Sequence, residues 1–129
     1  MPDYGSRLLI VDDNKVNRLL LSRHIDLLGH RFELAENGRI ALERLRSEPF
    51  DLLLLDIEMP LVSGDEIMHA IREKRLVNDG DEVPVILYSG TEPSELHRLV
   101  KETGALGAIH KTRDSAEFTE AFERLVRHL

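Results

Sequence analysis

The chain has no cysteine. That excludes a disulfide framework, thiolate metal sites and a cysteine nucleophile. It has no apolar run near the roughly 18 residues that cross a bilayer, and Met1 to Arg7 is polar, without a signal-peptide core. A cytoplasmic location without membrane contact is the expectation. Positive charge is in deficit, with a formal net charge of −7, which argues against direct, broad contact with nucleic-acid phosphates. No glycine-rich phosphate loop is present, so ATP is not expected as a phosphoryl donor. Repeats, low-complexity tracts and internal linkers are missing too. The 129 residues are read as one domain, 1–129, large enough for a full core.

What is there is organised around Asp51-Leu52-Leu53-Leu54-Leu55-Asp56-Ile57-Glu58-Met59-Pro60. Unbroken leucines fit a strand covered on both faces, since a half-exposed strand would alternate apolar with polar. Pro60 stops any helix nearby. Asp56 therefore stands where a buried strand emerges, and a carboxylate there is costly unless paired. Taken alone, the plainer alternative is an aspartate that merely caps the next turn.

The same logic recurs along the chain. Leu8 to Val11 reads as a first strand ending in Asp12-Asp13. Asn14 or Asp13 can cap the following helix, with Val16, Leu20, Leu21, Ile25 and Leu28 spaced for one buried face and Gly29 ending it. Arg31 to Glu36 reads as an edge strand, Asn37-Gly38 as a turn, and Ile40 to Leu45 as a short helix. After the central strand, Ile67, Ala70 and Ile71 mark a helix ending near Arg75, and Asn78 to Asp81 a polar turn. Pro84 to Tyr88 is a strand ending in Ser89-Gly90. Thr91 and Pro93 open a helix with Leu96, Leu99 and Val100 inside, which Gly104 ends. Ala105 to His110 is a weak strand ending at Lys111. Asp114 or Ser115 caps a last helix carrying Phe118, Phe122, Leu125 and Leu129.

Strict alternation of five strands and five helices implies an α/β fold with a five-stranded parallel sheet, right-handed crossovers and helices on both faces. The leading topology is the flavodoxin-like doubly wound (βα)5 order 2-1-3-4-5, whose ligand crevice lies at the carboxyl ends of strands 1 and 3. Those ends carry Asp12, Asp13 and Asp56; the ends of strands 4 and 5 carry Ser89 and Lys111. At about 5 Å and an effective dielectric of about 20, each carboxylate pair costs roughly 3 kcal/mol, so a cation must offset them. An all-oxygen site suits Mg²⁺. Lys111 and the Ser89 hydroxyl complete a cage for a phosphoryl group, stabilising charge during in-line transfer. Asp56 is the best nucleophile, forming an aspartyl phosphate, because Asp12 and Asp13 are adjacent partners.

With Val11-Asp12-Asp13-Asn14, Asp56 followed by Met59-Pro60 and Gly64, Ser89 and Lys111 in this order, the chain resembles the receiver domain of two-component response regulators over essentially its full length. The run through Asn17-Arg18, with Asn37-Gly38 later, looks most like receivers attached to hybrid sensor histidine kinases. The resemblance implies that Asp56 accepts a phosphoryl group from a phosphohistidine on a sensor histidine kinase or histidine phosphotransfer protein, and that a downstream protein partner reads the result. It implies that Asp12, Asp13 and Asp56 hold Mg²⁺ with the backbone carbonyl of Glu58, that Ser89 is the switch hydroxyl and that Lys111 pairs with phosphoryl oxygens. It implies a switching module rather than a turnover enzyme, stand-alone or part of a hybrid kinase, with no output or DNA-binding segment expected within these residues. The face formed by the last strand and the last two helices is where similar domains dimerise or dock.

Two positions depart from the family. Ala108 replaces the tyrosine or phenylalanine that swings inward when the switch hydroxyl moves; Tyr88, beside Ser89, is a substitute or plain core packing. Thr112 replaces the proline after the lysine, so a trans bond and a shifted loop are expected. The Glu58 carboxylate adds charge at the mouth of the site or faces solvent. The six histidines (24, 30, 69, 97, 110 and 128) show no metal-ligand spacing, and His97, within Ser94 to Arg98, reads as a surface residue rather than a kinase phosphohistidine. Two rivals stand beside the phosphoacceptor. One is a phosphorylation-independent receiver-like interaction domain. The other is a Mg²⁺-dependent hydrolase with an aspartyl phosphate intermediate, for which Glu58 is a loosely fitting general acid.

Overall fold

A computed structural model describes residues 6–57, 83–111 and 115–127. In chain order these form β1 (Arg7–Val11), α1 (Lys15–Leu27), β2 (Arg31–Ala35), α2 (Gly38–Ser47), β3 (Leu52–Asp56), β4 (Val85–Ser89), α3 (Pro93–Thr103), β5 (Gly107–His110) and α4 (Ser115–Val126). The helix expected around Ile67 to Arg75, the turn at Asn78 to Asp81, and the positions Glu58, Met59, Pro60, Gly64 and Thr112 lie outside the described residues.

The five strands are parallel in the order β2-β1-β3-β4-β5. The four leucines of β3 and the apolar run of β1 are at most 1% exposed, because helices cover both faces of the sheet and leave the strands no wet side. Leu9, Val11, Leu53, Leu55, Val85 and Leu87 pack toward Ala41 and Leu45 of α2, with Leu99 and Val100 of α3 at the margin. Leu8, Ile10, Leu52, Leu54, Ile86, Tyr88 and Ile109 pack toward Leu21 and Ile25 of α1 and Phe118 and Phe122 of α4. The alternation along each strand thus divides the core into two halves with different helix partners.

Local chemistry sets the element ends. Asn14 caps α1, its side chain accepting from the Asn17 N–H, and Gly29, at φ 87°, turns the chain out of that helix. The expected turn at Asn37-Gly38 is the start of α2: the Asn37 side chain accepts from the Ile40 N–H as an N-cap, which asparagine serves as readily as a turn. Pro93 occupies the first turn of α3, where its missing N–H costs nothing, and Gly104 ends the helix in the left-handed region. Away from the carboxyl ends of the strands, Arg7 fastens β1: its N–H donates to Asp51 Oδ2 at 2.8 Å and its guanidinium to the Pro49 carbonyl and Glu48. That hydrogen bond from Arg7, chief among the causes, holds the Glu48 carboxyl below the usual range.

One expectation fails on α1. Leu21 and Ile25 are buried and Leu28 half-buried, as the spacing predicts, but Val16 and Leu20 are 64% and 51% exposed. At about 100° per residue, Leu21, Ile25 and Leu28 fall within one sector of about 60°, and Val16, Leu20 and Leu27 within another about 130° away. The sheet covers only the first sector.

Candidate functional site

The carboxyl ends of β1, β3, β4 and β5 lie at one rim of the sheet. Topology requires it, since all five strands point the same way and β1 and β3 are neighbours. Asp12, Asp13 and Asp56 each present a carboxylate oxygen there, all within 4.8 Å of one another. Asp12 and Asp56 are buried and Asp13 is exposed.

The backbone organises the group. Asp12 Oδ1 accepts from the Asn14 N–H at 2.8 Å, and the Arg18 guanidinium donates to the Asp12 carbonyl at 2.7 Å. Asp12 Oδ2 is buried and, among the described residues, has no hydrogen-bond partner. An orphaned carboxylate oxygen beside two more carboxylates costs free energy unless a cation takes it up. The donor set is all oxygen and includes an open lone pair, which fits a hard divalent ion such as Mg²⁺.

Lys111 Nζ lies 3.2 Å from Asp56 Oδ2, its own side chain a quarter exposed. Its backbone N–H donates to the Ser89 carbonyl at 2.7 Å, which places Lys111 beside the end of β4. The ammonium also stands 5.6 Å from the centroid of the Tyr88 ring, within cation–π range. Burial raises the Tyr88 phenol above its ordinary pKa, and the Asp12 and Asp56 carboxylates add to the effect, so it remains a neutral phenol at physiological pH. Ser89 is fully buried at the same rim. Its hydroxyl donates to Thr91 Oγ1 at 2.9 Å and accepts from the Thr91 N–H at 3.0 Å.

The structure therefore brings together Asp12, Asp13, Asp56 and Lys111, with Ser89 at the adjacent strand end. Glu58 lies outside the described residues. Three contributors were not read from the sequence as parts of the site: Arg18, whose i+6 spacing from Asp12 resembles any solvated helix charge; Thr91, two residues past Ser89; and Tyr88 as a contact of Lys111. For Thr91 the β-turn spacing Ser-x-Thr carries a usable signal, because hydroxyls so placed bond locally. His97 is exposed, as expected.

Over residues 8–123 the chain matches the family described as the response regulator receiver domain. It belongs to that family. This receiver is 31% identical over 98 residues to the sensor histidine kinase GacS of Pseudomonas protegens, covering 76% of this chain and 11% of that protein. It is 34% identical over 95 residues to the virulence sensor protein BvgS of Bordetella pertussis, covering 74% of this chain and 8% of that protein. The chain thus spans about a tenth of the length of these curated relatives. Among solved structures it resembles the Vibrio cholerae chemotaxis protein CheY4, with a TM-score of 0.81 and 25% identity over 94% of this chain and 98% of that one. It shares its fold with the receiver domain of a Pseudomonas aeruginosa sensor histidine kinase, at a TM-score of 0.79, 24% identity and coverage of 95% and 98%; that structure has magnesium coordinated in the active-site cleft. The receiver is homologous to those of hybrid sensor kinases, in the flavodoxin-like arrangement of the response regulators. Among the described residues, no helix is long and apolar enough to cross a membrane.

Proposed function

We propose that this receiver accepts a phosphoryl group on Asp56 from a phosphohistidine of a sensor histidine kinase or histidine phosphotransfer protein, on the cytoplasmic side of a phosphorelay. The observation that carries the reading is the 3.2 Å pair between Lys111 Nζ and Asp56 Oδ2 beside the three clustered carboxylates. A buried aspartate with a lysine at its oxygen and two acids alongside is costly as plain structure and well suited to receiving a phosphoryl group.

Asp56 supplies the oxygen that attacks phosphorus as the phosphorus–nitrogen bond breaks, and the electron pair of that bond leaves with the imidazole of the donor. Lys111 follows the negative charge as it spreads onto the phosphoryl oxygens. Asp12, Asp13 and Asp56 would hold Mg²⁺, with the Glu58 carbonyl as the further ligand expected from the sequence; the ion would neutralise the carboxylates and admit an anionic donor. Arg18, at the Asp12 carbonyl, and the Asn14 N–H, at Oδ1, hold Asp12 in place and leave Oδ2 without a hydrogen-bond partner among the described residues. Ser89 is the switch hydroxyl: held by Thr91 in this state, it exchanges that partner for a phosphoryl oxygen. Beside the acids, the exposed Val16, Leu19 and Leu20 of α1 offer a donor protein an apolar footing. The domain works as a switch read by a downstream protein and does not turn over substrate on its own.

The test is intact mass after incubation with acetyl phosphate and Mg²⁺, on wild type and Asp56→Asn. One phosphoryl gain that requires Mg²⁺ and is lost in the variant is the expected result. No adduct on either protein overturns the reading and leaves a phosphorylation-independent interaction domain, a reading that Ala108 in place of the usual aromatic favours.

A further inference from the structure

We infer that Tyr88 is a positioning residue for Lys111, its ring forming the surface across which the lysine reaches Asp56. This rests on the phosphoacceptor reading for its consequence, but not for its geometry.

Lys111 follows β5, whereas Asp56 ends β3, and β4 lies between them. The ammonium must therefore cross an intervening strand, and two strand spacings amount to about 9.6 Å. The residue under that crossing is set by register. Asp56 is paired with Tyr88, and Tyr88 with Ile109. Residues paired across parallel strands share a face, and Lys111, two positions after Ile109, continues on the same one. Asp56 and Tyr88 thus stand in one row across the sheet, and Lys111 lies on the same face, two residues beyond the end of that row at Ile109.

The contacts agree with the row. The ammonium is 5.6 Å from the Tyr88 ring centroid and 3.2 Å from Asp56 Oδ2. The ring itself is 7% exposed. It is fixed edge-on against Phe118 of α4, with centroids 6.1 Å apart and planes at 85°, and Phe118 in turn stacks on Phe122 and His24. A ring held this firmly offers the lysine one place to lie. An aliphatic side chain at position 88 would keep the site apolar, though smaller than tyrosine, yet give the ammonium no attraction, so the long, rotatable lysine would spend part of its time in solvent.

The experiment compares phosphorylation rates with acetyl phosphate and Mg²⁺, by intact mass, for wild type, Tyr88→Phe, Tyr88→Leu, Lys111→Gln and the Tyr88→Leu/Lys111→Gln pair. It adds the NMR shift of the Lys111 ε-methylene protons in the unphosphorylated protein. Tyr88→Phe keeps the ring and is expected within about twofold of wild type, while Tyr88→Leu slows phosphorylation by about two- to thirtyfold, the range of one cation–π contact. On the Lys111→Gln background, Tyr88→Leu should have no further effect. In wild type and Tyr88→Phe the ε protons should be displaced upfield by the ring, and in Tyr88→Leu they should return to the value of a free lysine. A fold defect alone would slow both backgrounds equally, and that outcome overturns the inference, as does equal loss in Tyr88→Phe and Tyr88→Leu. Undisplaced ε protons in wild type overturn it without any variant having to fold. Displaced protons with no phosphoryl gain on wild type would instead overturn the phosphoacceptor reading and leave the Tyr88–Lys111 contact standing.

Discussion

Removing one buried carboxylate should stabilise this domain in the absence of metal and abolish its response to magnesium. The perturbation is Asp12→Asn. Asn keeps the volume and the oxygen that accepts from the Asn14 N–H, so the cap geometry of α1 survives. What changes is charge. Asp12 and Asp56 are 0% and 1% exposed and present oxygens within 4.8 Å of each other. At that separation and an effective dielectric of about 20, the repulsion is about 3 to 4 kcal/mol. Lys111 offsets the charge of Asp56, and relaxation lowers the cost further, so the gain expected from Asp12→Asn is about 1 to 3 kcal/mol. For a domain of this size that corresponds to a rise in Tm of roughly 3 to 10 °C. The assay is thermal or urea unfolding in EDTA and in a magnesium series. Wild type should gain about 2.7 kcal/mol at a hundred times its Kd, and the variant little, so that the two stability curves converge as magnesium rises. A variant less stable than wild type in EDTA would refute the reasoning, because the carboxylates would then be holding the rim together. An equal magnesium response in both proteins would refute the assignment of Asp12 to the ion.

Other outcomes follow from the same geometry. The His30 Nδ1 accepts from the Ser6 N–H at 3.0 Å, and burial lowers its pKa, with Glu123 opposing. The folded pKa then lies below the unfolded one, so the unfolded chain takes up the proton first and stability falls as pH drops through about 6.5; urea midpoints at pH 7.5 and 5.5 should differ less in His30→Leu than in wild type. Leu54→Ala, at a site 1% exposed, should cost about 2 to 5 kcal/mol in chemical unfolding, with the phosphorylation site retained in the folded fraction. Thr91→Val removes the acceptor of the Ser89 hydroxyl while keeping the backbone donor, so beryllofluoride, as a phosphoryl mimic, should bind about two- to tenfold more tightly, one net hydrogen bond, as measured by titration calorimetry.

Much of the molecule was legible in order along the chain. The leucines of β3 announced a strand buried on both faces because only a two-sided cover permits four in a row, and acids at the ends of β1 and β3 announced a rim because parallel strands put their carboxyl ends together. Asn14 marked the start of α1 through capping chemistry confined to a few residues. These features depend on neighbours in sequence, and the sequence determined them by itself. The sheet order decided the rest. Val16 and Leu20 satisfy helical spacing as well as Leu21 and Ile25 do, and only the angle at which α1 leaves β1 selects which stripe meets the sheet. Tyr88 read as packing or as a switch until register placed it under the path from Lys111 to Asp56. The pairing of Lys111 with Asp56, 55 positions apart, was likewise set by groups that fold into reach. Local propensity follows from the covalent chain, whereas charge, cation–π and hydrogen-bond partners depend on separations of a few ångströms that only the packed sheet fixes.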